Sequence, residues 1–155
     1  MSIEDTLAAL GLTLPEPPQP AGNYIGWNQI ERFLYVGGNV GRLNGAPPTH
    51  VGKVGAEVTL AQAYEMARCC ALNHLAAMKA ALGDLERVER IVKVTGYVNV
   101  APGFVDMPSV INGESDLLVE VLGEARGRHA RAAIGVASLS SGAPVETELI
   151  AYLRA

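Results

Sequence analysis

Arg131 lies in the stretch GRHARAAIGVA, Gly127 to Ala137, where it opens an apolar, β-branched run whose pattern calls for burial. A guanidinium at the mouth of a packed strand loses hydration that something must replace, and a planar carboxylate is its best geometric match. Glu146 and Glu148 occupy alternate positions of a later strand pattern, so both carboxylates share one face. Read as neighbouring antiparallel strands, these two segments bring Arg131 and the glutamates to one cavity. Two chemistries fit: a structural ion pair, or a site in which Arg131 holds a small carboxylate while a glutamate serves as base.

The other reactive residue types are arranged less suggestively. His50, His74 and His129 are widely spaced, with no second ligand at i+3 or i+4, so neither zinc nor iron is expected and surface or satisfied histidines are the simpler reading. Cys69 and Cys70 fall in the middle of a helical pattern, away from a helix start that would stabilise a thiolate, and their side chains diverge too far for a disulfide. They read as reduced core fillers in a cytoplasmic protein. Gly37, Gly38 and Gly41 follow a strand without the helix a phosphate loop needs, which makes them a turn or bulge.

The elements that position these groups are marked by caps and punctuation. Ser2 with Asp5 forms a capping box before a short surface helix over Thr6–Leu10, and PEPPQP, Pro15 to Pro20, is an extended connector. Phe33 to Val36 is a strand, with Asn39–Leu43 continuing it past a bulge, and residues 41–53 are loop. Thr59 and Gln62 cap a long helix to Leu82 that stops at Gly83; its polar positions are Gln62, Glu65, Arg68, Asn73, His74 and Lys79, so more than one of its faces is buried. A strand over Arg90–Val100, a helix over Pro108–Leu122, and strands over Ala130–Leu139 and Val145–Leu153 complete the chain; the five-residue link between the last two suggests a hairpin. The order implies one α+β domain over residues 1–155, with residues 1–20 as an N-terminal helix and proline-rich extension.

The 155 residues carry a formal charge of -4, with 49% hydrophobic and 18% charged residues. An acidic chain whose single basic cluster is Arg126, Arg128, His129 and Arg131 lacks the footprint of a nucleic-acid binder. The absence of a leader-like start or of a run of about 18 apolar residues speaks against export or a membrane span. Apolar bulk drawn from Ala, Val, Leu and Ile suggests that an oligomer hides part of the surface.

GRHARAAIGVASL followed by PVETELIA resembles the closing signature of the RidA (YjgF/YER057c/UK114) family, whose members carry an Ala-Arg-Ser strand and then a Val-Glu-x-Glu strand. AGNY at Ala21–Tyr24, YVGGNVG at Tyr35–Gly41 and VINGESDLL at Val110–Leu118 are similar to its Gly-x-Tyr, Ser-Gly-Gln and second-helix segments, and the extra N-terminal helix and VGKVG loop look like its longer-chain branch. The resemblance implies a chorismate-mutase-like (RidA-like) mixed β-sheet with two main helices on one face, and a homotrimer with clefts between subunits. It also implies cofactor-independent hydrolysis of reactive 2-imino or enamino acids to 2-keto acids and ammonia. By position, Arg131 corresponds to the arginine that grips the substrate carboxylate and Glu146 to the glutamate that holds or activates water; Tyr24, Gly38 and Asn112 correspond to substrate-binding cleft residues. Ala132 stands where the family has Ser, Gly37 and Asn39 replace Ser and Gln, Ser140 replaces Pro, and Ala133 replaces a frequent Cys. The lost hydroxyls keep two rivals in view: a non-catalytic small-carboxylate binding or regulatory trimer, and a pathway-specific deaminase of a larger, aminomuconate-like enamine.

Overall fold

Capping boxes at both predicted starts set the helices of the computed structural model, which describes residues 1–155. Ser2 caps α1, Ile3–Ala9, one turn earlier than the pattern suggests, and Ile3 and Leu7 are buried, so this helix is anchored to the core. Thr59 Oγ1 accepts the Gln62 N–H at 3.2 Å and the Gln62 side chain accepts the Thr59 N–H at 2.9 Å, opening α2, Leu60–Leu82. The helix α3, Met107–Leu122, is followed by the single turn α4, Glu124–Gly127.

Five strands form one mixed sheet: β1, Trp27–Ile30; β2, Phe33–Val40; β3, Val88–Asn99; β4, Ala130–Val136; and β5, Val145–Leu153. Their order is β1-β2-β5-β3-β4, with β3 and β4 parallel and every other pair antiparallel. The strand β1 escapes sequence reading because only Trp27 of its four residues is partly shielded, so it shows no inward-outward alternation; it pairs through a two-residue turn with Glu31 at φ 52°.

The last two strands are not a hairpin. β3 lies between them, and its Asn99 binds the connecting loop through its N–H to Pro144 O at 2.9 Å. The core decides this arrangement. β5 buries Val145, Leu149, Ala151 and Leu153, whereas β4, built of small residues, has no fully buried position and fills an edge. The run after Arg131 is therefore half-exposed in the single chain, not largely buried.

The helices α2 and α3 pack side by side on one face of the sheet, over a hydrophobic core of 30 buried residues. A Cβ at Gly113 of α3 would lie 2.1 Å from the Tyr64 carbonyl oxygen of α2, so a hydrogen there permits the close crossing. Asn73 and His74 do not belong to the exposed stripe of α2. Both are buried, and His74 Nδ1 meets Glu114 Oε1 of α3 at 2.8 Å in a pair wholly removed from solvent.

Candidate functional site

A β-bulge builds the first half of the site. β2 pairs with β5 as Val36 to Leu149 and Asn39 to Thr147, so Gly37 and Gly38 together face the single residue Glu148. A Cβ on Gly38 would lie 2.3 Å from Glu146 Oε1, which means that this carboxylate occupies the space a side chain would take. The helix layer holds the far end of β2: Asn73 Nδ2 donates to Val40 O at 3.2 Å and Arg42 O at 2.6 Å, and the Cys70 thiol to Asn39 O at 3.2 Å.

Glu146 is half-buried and receives no hydrogen bond from the chain. Burial first, and then the negative charge of Glu148, raises its pKa above the ordinary glutamate value. The phenolic oxygen of Tyr24 accepts the Ala21 N–H at 3.1 Å, and Tyr24, Gly38 and Glu146 line one open cleft of about 400 Å³ beneath the proline-rich strap. Three of the five expected residues thus converge within one chain.

Arg131 and Asn112 form the second half elsewhere. Arg131 Nη1 donates to Asn112 Oδ1 at 2.8 Å and to Ser115 Oγ at 3.1 Å, and Nη2 donates to Pro108 O at 3.3 Å. All three acceptors are neutral, and Arg131 forms no salt bridge within the chain. A guanidinium has five N–H donors, so Nε–H and one hydrogen of Nη2 remain uncommitted, a pair on adjacent nitrogens suited to two carboxylate oxygens.

Arg131 and the glutamates are not neighbours across a strand pair. Arg131 registers with Val94 of β3 and Glu146 with Tyr97, on strands flanking β3, which places their backbones roughly 14 Å apart from strand spacing and rise. They also face opposite ways. Arg131 reaches α3 on the helix side, whereas Glu146 lies between the inward-facing Val145 and Thr147 and points to the open side. The internal ion pair does not form, and no single copy closes a site containing both groups.

Ser115, Pro108 and Asn73 were not anticipated as site residues, and His129 was read only as a surface or satisfied histidine. Asn112 and Ser115 lie three apart in the sequence, on one helix face, a spacing from which a shared partner can be read. Asn73 could not be found this way, because a polar residue on a helix does not declare which carbonyls lie beneath it.

The family model described as "YjgF/chorismate_mutase-like, putative endoribonuclease" matches residues 4–153. Protein TCP17 of Trypanosoma cruzi is 42% identical over 148 residues, spanning 96% of this chain and 92% of that protein. The crystal structure of Atu1372, a protein of unknown function from Agrobacterium tumefaciens, is 43% identical and covers 98% of this chain and 92% of its own, with a TM-score of 0.90. A Shewanella oneidensis structure carrying the same endoribonuclease designation is 33% identical, with coverage of 99% and 100% and a TM-score of 0.93.

Proposed function

The chain belongs to the YjgF/chorismate mutase-like (RidA) family, and from that premise we propose that it hydrolyses small reactive 2-imino acids to 2-keto acids and ammonia without a cofactor. The observation that carries this reading is Arg131: a fixed guanidinium with no carboxylate partner in its own chain and two adjacent N–H donors free. The free N–H pair takes the substrate carboxylate side-on, which fixes the neighbouring imine carbon and removes much of the orientational part of the barrier.

Glu146 supplies the proton chemistry. Its carboxylate accepts a proton from a water molecule as the water oxygen bonds to the imine carbon and the C=N electron pair moves to nitrogen, and Glu146 then passes that proton to the nitrogen, giving the carbinolamine. In the collapse Glu146 takes the hydroxyl proton as the C=O bond forms and delivers it to the nitrogen as the C–N bond breaks, releasing the keto acid and ammonia. A pKa raised by burial suits a group that must accept and then release a proton.

Since Arg131 and Glu146 of one chain face apart, the reading includes a homotrimer in which the Arg131 half-site of one copy meets the Glu146 half-site of another. β4 as an unpaired edge and the open face carrying Phe33, Tyr35 and Ile134 as exposed apolar residues support such an assembly. The same reading puts the enzyme in the cytoplasm. No helix is long and apolar enough to cross a membrane.

The test is ammonia or keto-acid release from freshly generated 2-iminobutyrate. Turnover by the wild type that exceeds Arg131→Ala by at least two orders of magnitude supports the reading; equal rates overturn it. Binding without turnover has one observation in its favour: Asn39 Nδ2 donates to Gly37 O at 3.0 Å, so one hydrogen of the amide that replaces the family Gln is spent within the chain. In that case 2-oxobutanoate raises the melting temperature while turnover stays at the Arg131→Ala level. Against RNA cleavage stand a net charge of -4 and the glutamates on the open face, which disfavour a phosphate backbone.

A further inference from the structure

We infer that His129, acting through Ser115, is a positioning residue that decides which edge of the Arg131 guanidinium is offered to the substrate carboxylate. The inference rests on the carboxylate-binding role proposed for Arg131 and adds the device that orients it.

The hydrogen positions follow from the acceptors. His129 Nδ1 lies 2.6 Å from the Gly127 carbonyl oxygen, which can only accept, so Nδ1 carries the ring hydrogen. In the neutral ring Nε2 is then an acceptor, and Ser115 Oγ at 3.0 Å must donate its one hydrogen to it. With that hydrogen committed, Ser115 meets Arg131 Nη1 at 3.1 Å as an acceptor only. Asn112 Oδ1 takes the other Nη1 hydrogen at 2.8 Å. Both hydrogens of Nη1 are engaged, so binding in the guanidinium plane is left to Nε and Nη2, and a carboxylate is received side-on.

The relay stands on a firm base. Gly127 is buried, and a Cβ there would come within 2.6 Å of the Leu118 carbonyl oxygen, so the turn bearing the His129 acceptor sits directly on α3, the helix that also carries Asn112 and Ser115. Without the imidazole, the Ser115 hydroxyl rotates freely and presents its hydrogen to Nη1 part of the time. The guanidinium then loses its fixed orientation while remaining charged and present.

Calorimetric binding of 2-oxobutanoate and steady-state turnover of 2-iminobutyrate test this on the full chain. His129→Ala is expected to weaken the Kd and raise KM about tenfold with kcat within about twofold, the signature of lost uniform binding. His129→Gln, whose amide oxygen reaches the place of Nε2, restores both to within about threefold. Ser115→Ala matches His129→Ala, and the double substitution is no worse than either alone. Thermal unfolding of each variant confirms the fold, and Ser115→Ala carries the test should His129→Ala not fold. Wild-type Kd in His129→Ala, or no rescue by His129→Gln, overturns the inference. If Arg131→Ala abolishes 2-oxobutanoate binding while His129→Ala leaves it intact, only this inference falls; if Arg131→Ala binds like the wild type, the proposed function falls and takes this inference with it.

Discussion

Replacing Gly38 by Ala separates the geometry of the site from the stability of the fold. The new Cβ would start 2.3 Å from Glu146 Oε1, whereas ordinary contact begins near 3.4 Å, so the carboxylate must withdraw by about 1 Å. Nothing else need move. Gly38 is not at positive φ, so alanine accepts its backbone, and the clashing atoms are the end of a flexible side chain. Alanine also restricts the unfolded chain by about 0.4–1 kcal/mol, which offsets the displacement and keeps stability within about 1 kcal/mol of the wild type.

A 1 Å misplacement of a reacting group lowers a rate by about 10²-fold, or about 2.7 kcal/mol of barrier. The expected result for Gly38→Ala is a kcat for 2-iminobutyrate down about a hundredfold, a KM nearly unchanged because Arg131 holds the carboxylate from another strand, and a melting temperature shifted by no more than about 2–4 °C. In a background already carrying Glu146→Ala the same replacement is expected to do nothing further, since its effect passes through that carboxylate. Wild-type kcat in Gly38→Ala, or additive loss in the double variant, refutes Glu146 as the positioned base.

Glu146→Gln is expected to lower kcat by about 10²–10⁴-fold and, at neutral pH, to raise the melting temperature. Burial and Glu148 raise the folded pKa, so the wild type loses stability as pH climbs from the ordinary glutamate range through that raised value; a neutral amide is spared, and the two melting temperatures converge in acid. Gly113→Ala forces a Cβ against the Tyr64 backbone, which cannot swing aside, and is expected to cost about 1–3 kcal/mol in urea unfolding; an unchanged midpoint would show that the two helices slide apart freely. Glu114→Ala strands His74 in a fully buried place and is expected to cost about 3–5 kcal/mol, whereas replacing both partners with apolar residues of similar volume recovers most of that stability. Equal losses in the single and double variants would show that the buried pair is not the source.

Much of the fold was legible because its signals are local. Ser2 and Thr59 carry their capping partners within three residues, Gly83 and Gly123 end α2 and α3, and the alternation of VETELIAYL marks β5 to the residue. Tyr24, Gly38 and Glu146 could be assigned to one cleft from their resemblance to the family motifs, and the bulge at Gly37–Gly38 follows from glycines inside a strand pattern. The hairpin expected between β4 and β5 failed because a short loop implies pairing only when neither strand finds a better partner, and β5 buries more apolar surface at the centre of the sheet than β4 can. His74 looked like part of a polar stripe because its partner, Glu114, lies on a different helix forty residues on.

The sequence alone determined most of the elements, their caps and the residue types able to do chemistry, since each depends on contacts a few residues long; β1 and α4 were not among them. The tertiary structure decided what those residues face. Strand order and register turned Glu146 to the open side of the sheet and Arg131 to the helix side, and α3 supplied the neutral acceptors that orient the guanidinium. The reason is that side-chain direction alternates with every residue of a strand while neighbours across the sheet come from distant parts of the chain.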